Sequence, residues 1–257
     1  MAIFLIAFVL LLVIGVPISI SIGASAVLGC LSLGYPLVVI GQKMVSGIDS
    51  FLLIAVPLFI LAGNLMNAGK ITEKIFDTAK ELVGWIPGGL GHANVVASII
   101  FAGMSGSAVA DAGGLGAIEM EAMKKNGYDE DFAGAVTAAS SVIGPIFPPS
   151  IPLIIYGSVA SVSVDQLFMG GVVPGLLMGV LLMVMVLYFA IVRRYERHPF
   201  RLRALIRQFL GSIPALITPV IILCGFVVGW FTPTEASSIA VIYSLLIALF
   251  LYRTLDW

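Results

Sequence analysis

The stretch GMSGSAVADAGG, residues 103–114, decides the fold, because it interrupts an apolar segment with polar and flexible residues. Its twelve positions hold four glycines, two serines and one aspartate, a composition that ends a helix and frees backbone hydrogen-bonding groups. Backbone groups that face lipid lack hydrogen-bond partners, so such a break inside an apolar chain must be buried in protein or line a cavity. The break therefore has to be placed relative to a membrane.

The composition of the whole chain is that of a membrane protein. Hydrophobic residues make up 60% of its 257 residues, charged residues only 11%, and the mean hydropathy is +1.13. No soluble core needs so large an apolar fraction. The two cysteines, Cys30 and Cys224, have no metal-ligating neighbours, so we expect neither a metal cluster nor a disulfide, and no cofactor.

Apolar segments of transmembrane length, about 20 residues each, recur along the chain. The clearest are residues 51–68, 164–192, 213–231 and 237–252. The first 34 residues lack a basic start and a cleavage site, so we interpret them as mature helix rather than a signal peptide. They are long enough for two short crossings, with a predicted break between Gly15 and Pro17.

The positions of the basic residues predict a re-entrant hairpin. Twelve of the thirteen lysines and arginines, all except Lys43, are expected on one side of the membrane. Residues 89–125 must then enter and leave on the same face, since Lys80 precedes this segment and Lys124 follows it. The predicted arms, about 90–102 and 113–123, are each too short to span a bilayer comfortably.

The positive-inside rule orients the rest of the chain. The amino terminus is predicted outside, two short helices return the chain outside near Lys43, and residues 51–68 descend to the cytoplasm. Residues 71–83 place apolar and charged positions at helical spacing and are predicted to lie along the interface, with Trp85 at headgroup depth. The later crossings are predicted at residues 132–156 (outward), 166–192 (inward), 213–231 (outward) and 237–252 (inward).

A second polar break, SSVIGPIFPPS at residues 140–150, interrupts the crossing at 132–156. Pro145, Pro148 and Pro149 remove backbone donors and free carbonyls upstream, and Gly144 permits unwinding. A hairpin tip that faces an unwound helix presents carbonyls, hydroxyls and half-helix ends. Oxygen-rich sites of this kind suit sodium, and helix N-termini suit a carboxylate.

The candidate ligands lie at these two breaks. Ser105 and Ser107 supply hydroxyls beside flexible glycines, and Asp111 places an ionisable group in an apolar zone, where it either binds a cation or caps the second hairpin arm. Across from them lie Thr137, Ser140 and Ser141, for which helix packing is the alternative role. Asn64 either lends a carbonyl oxygen to the site or makes an interhelical hydrogen bond.

Other residue patterns do not support catalysis or nucleic-acid binding. GMSGS has serine at position 107 where a nucleophile elbow needs glycine, and neither His92 nor His198 has partners for a triad. Glu119 and Glu121 are predicted to be solvated or ion-paired. The basic run at residues 193–207 is predicted to be a cytoplasmic, solvated or interfacial connector rather than a nucleic-acid site.

Three long motifs resemble those of the large membrane subunit of tripartite ATP-independent periplasmic (TRAP) transporters, the DctM type. They are GMSGSAVADAGGLGAIEMEAMKKNGY, AASSVIGPIFPPSIPLIIYG and FTPTEAS, in that order. The resemblance covers nearly the whole chain. It implies an all-α, polytopic membrane fold of the elevator type, located in the bacterial inner membrane with a periplasmic amino terminus.

The resemblance also implies a function and partners. TRAP transporters take up organic acids such as C4-dicarboxylates or sialic acids with sodium as the coupling ion. They work with a small four-helix membrane subunit (DctQ type) and a periplasmic substrate-binding protein (DctP type). The family's ion and substrate region corresponds to the following positions: Ser105, Gly106, Ser107, Asp111, Ser140, Ser141, Gly144, Pro145, Pro148 and Pro149. Sodium is expected at Ser105, Ser107 and Gly144.

The same resemblance suggests a division of the chain. Residues 1–88 are expected to form scaffold helices and an interfacial arm, 89–160 the hairpin and broken helix of the transport domain, and 161–257 further scaffold with the start of a second repeat. Family members have two inverted repeats, whereas this chain has one hairpin and one broken helix. A truncated subunit is the simplest interpretation, with a natural half-transporter as the alternative.

Two other classes of function remain open from the sequence. One is a carrier or channel that takes its substrate directly, such as a divalent-anion sodium symporter. The other is an intramembrane enzyme or a structural scaffold subunit. Polar residues concentrated at two breaks, rather than in a continuous stripe, disfavour a channel, and Asp111 has no evident acidic or histidine partner for catalysis.

Overall fold

The computed structural model describes residues 2–195, 199 and 201–254, and every regular element within these residues is helical. This confirms the predicted all-α class. The helices are α1 (Ala2–Val13), α2 (Ile18–Ser32), α3 (Val38–Ile48), α4 (Ala55–Ala68), α5 (Ile71–Val83), α6 (Gly89–Ser105), α7 (Ala108–Ala110), α8 (Gly116–Lys125), α9 (Glu130–Ser141), α10 (Ile151–Ala160), α11 (Val164–Arg193), α12 (Leu202–Val228) and α13 (Pro233–Leu246). A 3-10 turn, Phe51–Ile54, precedes α4, and π-helical turns at Asp111–Leu115 and Ile247–Leu251 follow α7 and α13.

Residues up to Ser50 form a compact unit of their own, made of α1, α2 and α3. The chain reverses between α1 and α2 at Gly15, whose φ of +86° is left-handed, and Pro17 precedes the first residue of α2. The predicted break is therefore confirmed. Gly29 lets α2 approach α1, since a Cβ there would lie 3.4 Å from the Cβ of Phe4.

The second unit runs from Phe51 onwards and contains helices long and apolar enough to cross a membrane. Four such helices are found among the described residues: Phe51–Ala68, Val164–Arg193, Leu202–Phe226 and Pro233–Leu251. They agree with the four segments expected from hydropathy. The third begins earlier than predicted, at Leu202, and Gly211 does not interrupt it.

Because α12 begins at Leu202, part of the predicted basic connector at residues 193–207 belongs to this helix. Arg203 and Arg207 belong to the first turns of α12 and are continuous with the spanning helix, so they do not form a separate interfacial helix. Of the predicted connector, residues 196–198 and 200 lie outside the described residues, and these include Arg197 and His198. Pro214 and Pro219 lie inside α12 without ending it.

Helix α5 has the boundaries and the two faces predicted for the arm helix. Ile71, Ile75 and Ala79 are buried at helical spacing, while Glu73 and Asp77 are exposed. The Ser212 hydroxyl of α12 donates to the Lys74 carbonyl at 3.2 Å, which ties the two helices together.

The hairpin and the broken helix are both present. The first arm is α6, and the second arm runs through α7, the π-helical turn and α8, so it begins at Ala108 rather than at the predicted residue 113. The broken helix consists of α9 and α10, separated by nine residues that include the cis Pro148–Pro149 bond.

Helix α11 packs closely on the hairpin and on the broken helix through small residues. Gly175 faces Phe147, and a Cβ added at Gly175 would lie 3.0 Å from the Phe147 Cβ, while Gly179 faces Ile99 of α6. A hydrophobic core of Phe101, Met104, Leu115 and other buried residues fills the space around the hairpin. A second core joins α4, α10, α11, α12 and α13.

Candidate functional site

The hairpin tip and the break in the second helix contact each other directly. The Ile151 amide donates to the Gly106 carbonyl at 3.2 Å, and Gly144 lies against the backbone of Ser107 and Ala108. Gly106 has a φ of +60°, and a Cβ there would lie 2.5 Å from the Pro149 carbonyl oxygen. Only glycine fits this turn without displacing the opposing chain.

Serines begin the helical segments at both breaks. The Ser107 hydroxyl accepts from the Ala110 amide at 3.3 Å, and the Ser150 hydroxyl accepts from the Leu153 amide at 3.3 Å. Both are N-caps in extended backbone conformation, so two helix N-termini begin where the chains cross. The Ser150 hydroxyl also donates to the Pro145 carbonyl, which closes the loop upstream of α10.

The structure brings together Ser105, Ser107 and Gly144, the three residues expected to hold sodium. Ser105 is fully buried at the end of α6, and its hydroxyl accepts from the Ser107 amide at 3.5 Å. A Cβ at Gly144 would lie 3.3 Å from the Ser107 carbonyl carbon. Pro145 and Pro148 follow in the same loop, with Pro148 buried.

Helix α4 covers the tip, and the asparagine that approaches the hairpin is Asn67. Gly63 faces Ser105, and one turn later Asn67 lies against Gly114 of the second arm. Asn64 is exposed on a different side of α4. Residues four apart share a helix face, so Gly63 and Asn67 both point to the hairpin.

A buried hydrogen-bond network joins α6 to α9 beneath the tip, and we call it the Asn94 network. The Asn94 amide donates to the Thr137 hydroxyl at 2.8 Å, and the Ser140 hydroxyl donates to the Asn94 side-chain oxygen at 2.7 Å. The Ser98 hydroxyl donates to the Ser140 hydroxyl at 3.1 Å. Thr137 and Ser140 were expected at the site, whereas Asn94 and Ser98 were missed.

Asn94 and Ser98 nevertheless carried a signal in the sequence. They lie four residues apart in the apolar run that leads to the tip, and hence on one face of α6. Polar side chains in an apolar helix bond to neighbouring helices, so this spacing indicates a polar contact with one partner helix.

Asp111 is 1% exposed, and neither of its carboxylate oxygens has a hydrogen-bond partner among the described residues. The side chains that approach it are those of Ser98 and Ser141. Both hydroxyls donate elsewhere, Ser98 to Ser140 and Ser141 to the Thr137 carbonyl at 2.7 Å. The Asp111 carboxylate is therefore buried beside two hydroxyl groups, and oxygen atoms of this kind suit a hard cation.

The position of Asp111 bears on one of its two predicted roles, the capping of the second arm. Ser107, not Asp111, is the N-cap of the second arm, and the Asp111 amide donates to the Ser107 carbonyl at 3.1 Å inside the first turn. Asp111 thus belongs to the helical arm rather than to its cap. Cation binding by Asp111 stays a prediction.

The prediction that Glu119 is solvated or ion-paired is wrong. Glu119 is fully buried and neither of its carboxylate oxygens has a partner among the described residues, so it is neither solvated nor ion-paired. It lies three residues after Gly116, which faces Thr137 of α9, and so shares the buried face of α8. Glu121 behaves as predicted, since it is exposed and pairs with Lys125 at 2.6 Å.

His92 is buried in the first turn of α6, and His198 lies outside the described residues. Among the residues that the structure describes, no group of three histidine, cysteine or acidic side chains could hold a metal ion. The chemistry that this centre offers is therefore that of hydroxyls, amides, helix N-termini and one carboxylate beside them.

A polar cluster at the other end of the hairpin was not foreseen. Arg193 at the end of α11 pairs with Asp129 before α9, and the Tyr195 hydroxyl donates to Asp129 at 2.8 Å. The guanidinium lies 5.4 Å from the centre of the Phe132 ring. The Tyr195 hydrogen bond and the neighbouring Arg193 charge lower the pKa of Asp129.

Comparison with known proteins adds an independent observation. The family described as "Tripartite ATP-independent periplasmic transporter, DctM component" matches residues 5–257. The chain is 49% identical over 215 residues to the sialic acid TRAP transporter large permease protein SiaM of Vibrio cholerae, across 83% of this chain and 50% of that protein.

Two further relatives are named for other substrates. The 2,3-diketo-L-gulonate TRAP transporter large permease protein YiaN of Escherichia coli is 41% identical over 85% of this chain and 52% of its own length. The C4-dicarboxylate TRAP transporter large permease protein DctM of Vibrio cholerae is 38% identical over 95% of this chain and 54% of its own. The chain spans about half the length of these curated relatives, all of which are named as permeases rather than enzymes.

Proposed function

Because the chain belongs to the DctM family of tripartite ATP-independent periplasmic transporter components, we propose that it works in the large permease of a sodium-coupled importer of organic acids. The acid is delivered by a periplasmic binding protein of the DctP type, and a small four-helix membrane subunit of the DctQ type completes the complex. The substrate crosses the inner membrane as the hairpin and broken helix move against the scaffold, an elevator motion.

The contact between Gly106 and Ile151 is the observation that carries this proposal. It joins the hairpin tip to the restart of a broken helix, where two serine-capped helix N-termini begin. Helix N-termini attract anions, and the oxygen atoms around Asp111 attract a cation. One crossing thus offers adjacent places for a carboxylate and its coupling ion.

The substrate class follows from chemistry that the relatives' substrates share. Sialic acid, 2,3-diketo-L-gulonate and C4-dicarboxylates are the compounds in the three relatives' names, and all are oxygenated organic acids. A carboxylate at a helix N-terminus gains hydrogen bonds from free amides. We therefore assign the substrate as an organic acid, without choosing among these three.

Sodium fits the residues that the structure gathers. Sodium is a hard cation that oxygen ligands suit, and the site supplies the Asp111 carboxylate with the Ser98 and Ser141 hydroxyls nearby. Ser105, Ser107 and Gly144 offer a second group of oxygens at the tip. In the transporter these groups would bind sodium and so favour the packed hairpin.

A periplasmic amino terminus is part of the proposal, and the clustering of basic residues supports the orientation of the second unit. One groove is lined by Lys80 of α5 together with Lys125 of α8, and another by Glu81 of α5 together with Arg201 and Arg207. The Thr254 hydroxyl, next to Arg253, donates to the Gly69 carbonyl at 2.8 Å, near Lys70. These basic segments share one edge of the second unit, which the positive-inside rule assigns to the cytoplasm.

Uptake of labelled organic acids tests the proposal. The complete permease complex is reconstituted in proteoliposomes with and without a sodium gradient and the binding protein. We expect uptake to need both and to be lost when Ser105→Ala and Ser107→Ala are combined. Ser46→Ala, an exposed serine whose hydroxyl donates to the Lys43 carbonyl, is the matched control. Uptake without the binding protein would instead indicate a directly fed symporter, and uptake unchanged in the double variant would make the tip a structural turn only.

A further inference from the structure

The second arm of the hairpin carries a buried carboxyl group that the proposed site does not use. Glu119 is fully buried in α8, and neither of its side-chain oxygens has a hydrogen-bond partner among the described residues. An unpaired, ionised carboxylate in such surroundings is strongly unfavourable, even after relaxation of the protein. Its charge must therefore be neutralised by a bound cation, a basic side chain or a proton.

The lysines of α8 and the arginine that ends α11 already pair with other carboxylates. Lys124 pairs with Glu130 at 2.9 Å, Lys125 pairs with Glu121, and Arg193 pairs with Asp129. All three ion pairs lie at the exposed end of the hairpin, whereas Glu119 is buried. The ionisable group that acts on Glu119 through space is Asp111, which is itself negative when ionised and makes a charge on Glu119 still less favourable.

Among the described titratable groups on the helices around α8, including the buried His92 of α6, none is found to act on Glu119. Helices α6 and α9 pack on α8, and α5 borders it across a groove. These three helices carry the following titratable groups: His92 on α6; Glu130 and Asp131 on α9; Glu73, Lys74, Asp77, Lys80 and Glu81 on α5. Glu130 and Asp131 are exposed at the start of α9. Glu73, Asp77 and Lys80 line the groove that α5 shares with Glu121 and Lys125 on the other face of α8.

A metal cation is also a poor match for this position. Ser98 and Ser141 approach Asp111, so the oxygen atoms that suit sodium gather there rather than at Glu119. Around Glu119, the neighbouring residue on the same face, Gly116, presents only its backbone to the methyl group of Thr137. A proton needs no further ligands, since it converts the carboxylate to a neutral acid.

We propose that Glu119 is a proton-binding site of the hairpin, which takes up one proton from water when α8 packs against α6 and α9. The step is COO⁻ plus H⁺ giving COOH, with no other reactant. Asp111 then remains the single negative charge of the buried arm and the one available to a metal cation. Packing of α8 against α6 and α9 therefore takes up a proton, so the stability of the packed hairpin depends on pH.

Infrared spectroscopy of the complete permease in lipid nanodiscs tests this proposal independently of transport. At about pH 7 exposed carboxylates are ionised, so a protonated acid band there reports a buried, neutral carboxyl. We expect the wild type to show this band, Glu119→Gln to lose it, and Glu121→Gln and Asp111→Asn to keep it. If Glu119→Gln does not fold, the wild-type spectrum, recorded from acid to alkaline pH, still tests for a neutral buried carboxyl group.

Two results would overturn the assignment. The first is a wild-type protein with no protonated carboxyl band at about pH 7. The second is a band that persists in Glu119→Gln or that disappears instead in Asp111→Asn, which would place the proton on Asp111. Failed uptake with a normal Glu119 band would count against the transport proposal and leave the proton site intact.

Discussion

The Ile151 amide and the Gly106 carbonyl lie 3.2 Å apart and form the hydrogen bond that joins the hairpin tip to the second half of the broken helix. This bond satisfies a backbone carbonyl at one break and a backbone amide at the other. Both groups would lack hydrogen-bond partners in lipid. The two irregular segments therefore stabilise each other, and a change in one is expected to disturb the other.

Substitution of Gly106 by alanine tests this contact. We expect Gly106→Ala to destabilise the permease, because a left-handed backbone costs a residue with a side chain roughly 1–2 kcal/mol, and because the new Cβ would press on the Pro149 carbonyl. The measurement is thermal unfolding of the purified complex, together with uptake. Gly113→Ala in the same hairpin is the control, since a Cβ there meets no atom within 4 Å. Equal stability of the two variants would contradict this role for Gly106.

Removal of the Asp111 charge is expected to abolish stabilisation by sodium. A ligand that binds only the folded state stabilises it and raises its unfolding temperature. The wild type should therefore melt at a higher temperature in sodium chloride than in choline chloride at the same ionic strength, and Asp111→Asn should not. Glu121→Gln, which removes an exposed carboxylate from the same arm, should keep the sodium response. A sodium response that survives in Asp111→Asn would place the ion elsewhere.

The Asn94 network is expected to contribute to the stability of the hairpin. Asn94→Ala removes the donor to Thr137 and the acceptor of the Ser140 hydroxyl, both buried, and should lower the free energy of unfolding by roughly 1–3 kcal/mol. Denaturation in detergent with a fluorescence readout measures the change. Asn126→Ala, an exposed asparagine whose side chain donates to the Ala122 carbonyl, should change it much less. Equal losses of stability in Asn94→Ala and Asn126→Ala would contradict this role for the Asn94 network.

The Asp129 contact predicts an acid-dependent contribution to stability. Because the Tyr195 hydroxyl and Arg193 lower the pKa of Asp129 in the folded protein, its contribution is present above the unfolded pKa and is lost as pH falls through the folded one. The wild type should therefore unfold at a higher temperature than Asp129→Asn at neutral pH. That difference should shrink below about pH 4, the ordinary range of aspartate.

The control for this prediction is Asp131→Asn, which removes a nearby exposed carboxylate at the start of α9. Because the Asp129 pair is exposed, the effect on unfolding temperature should be small and should weaken at high salt. A difference between wild type and Asp129→Asn that does not change with pH would show that Asp129 acts through packing rather than charge.

Much of the fold could be predicted from the sequence, because its elements depend on local chemistry. The breaks at Gly106 and at residues 142–150 follow from glycine and proline, which act on their own backbone and on the neighbouring residue. The two faces of α5 follow from apolar and charged residues at helical spacing. The crossing of the two breaks was also expected, since irregular backbone in a membrane must be covered by protein.

The orientation of single polar residues could not be predicted in the same way. Helix α4 is apolar on nearly all sides, so its sequence does not indicate whether Asn64 or Asn67 faces the hairpin. Helix α8 carries both Glu119 and Glu121, two residues apart and hence on different sides, and only its packing buries the first and exposes the second.

The sequence by itself determined that the chain is helical, membrane-embedded and broken at two polar points, since these properties follow from composition and from residues with special backbone behaviour. Only the tertiary structure decided that Asp111 lies beside Ser98 and Ser141, that Asn94 joins α6 to α9, and that Glu119 is buried without a partner among the described residues. The physical reason is that lipid and protein interior are both apolar, so hydropathy cannot tell which side of a membrane helix meets another helix.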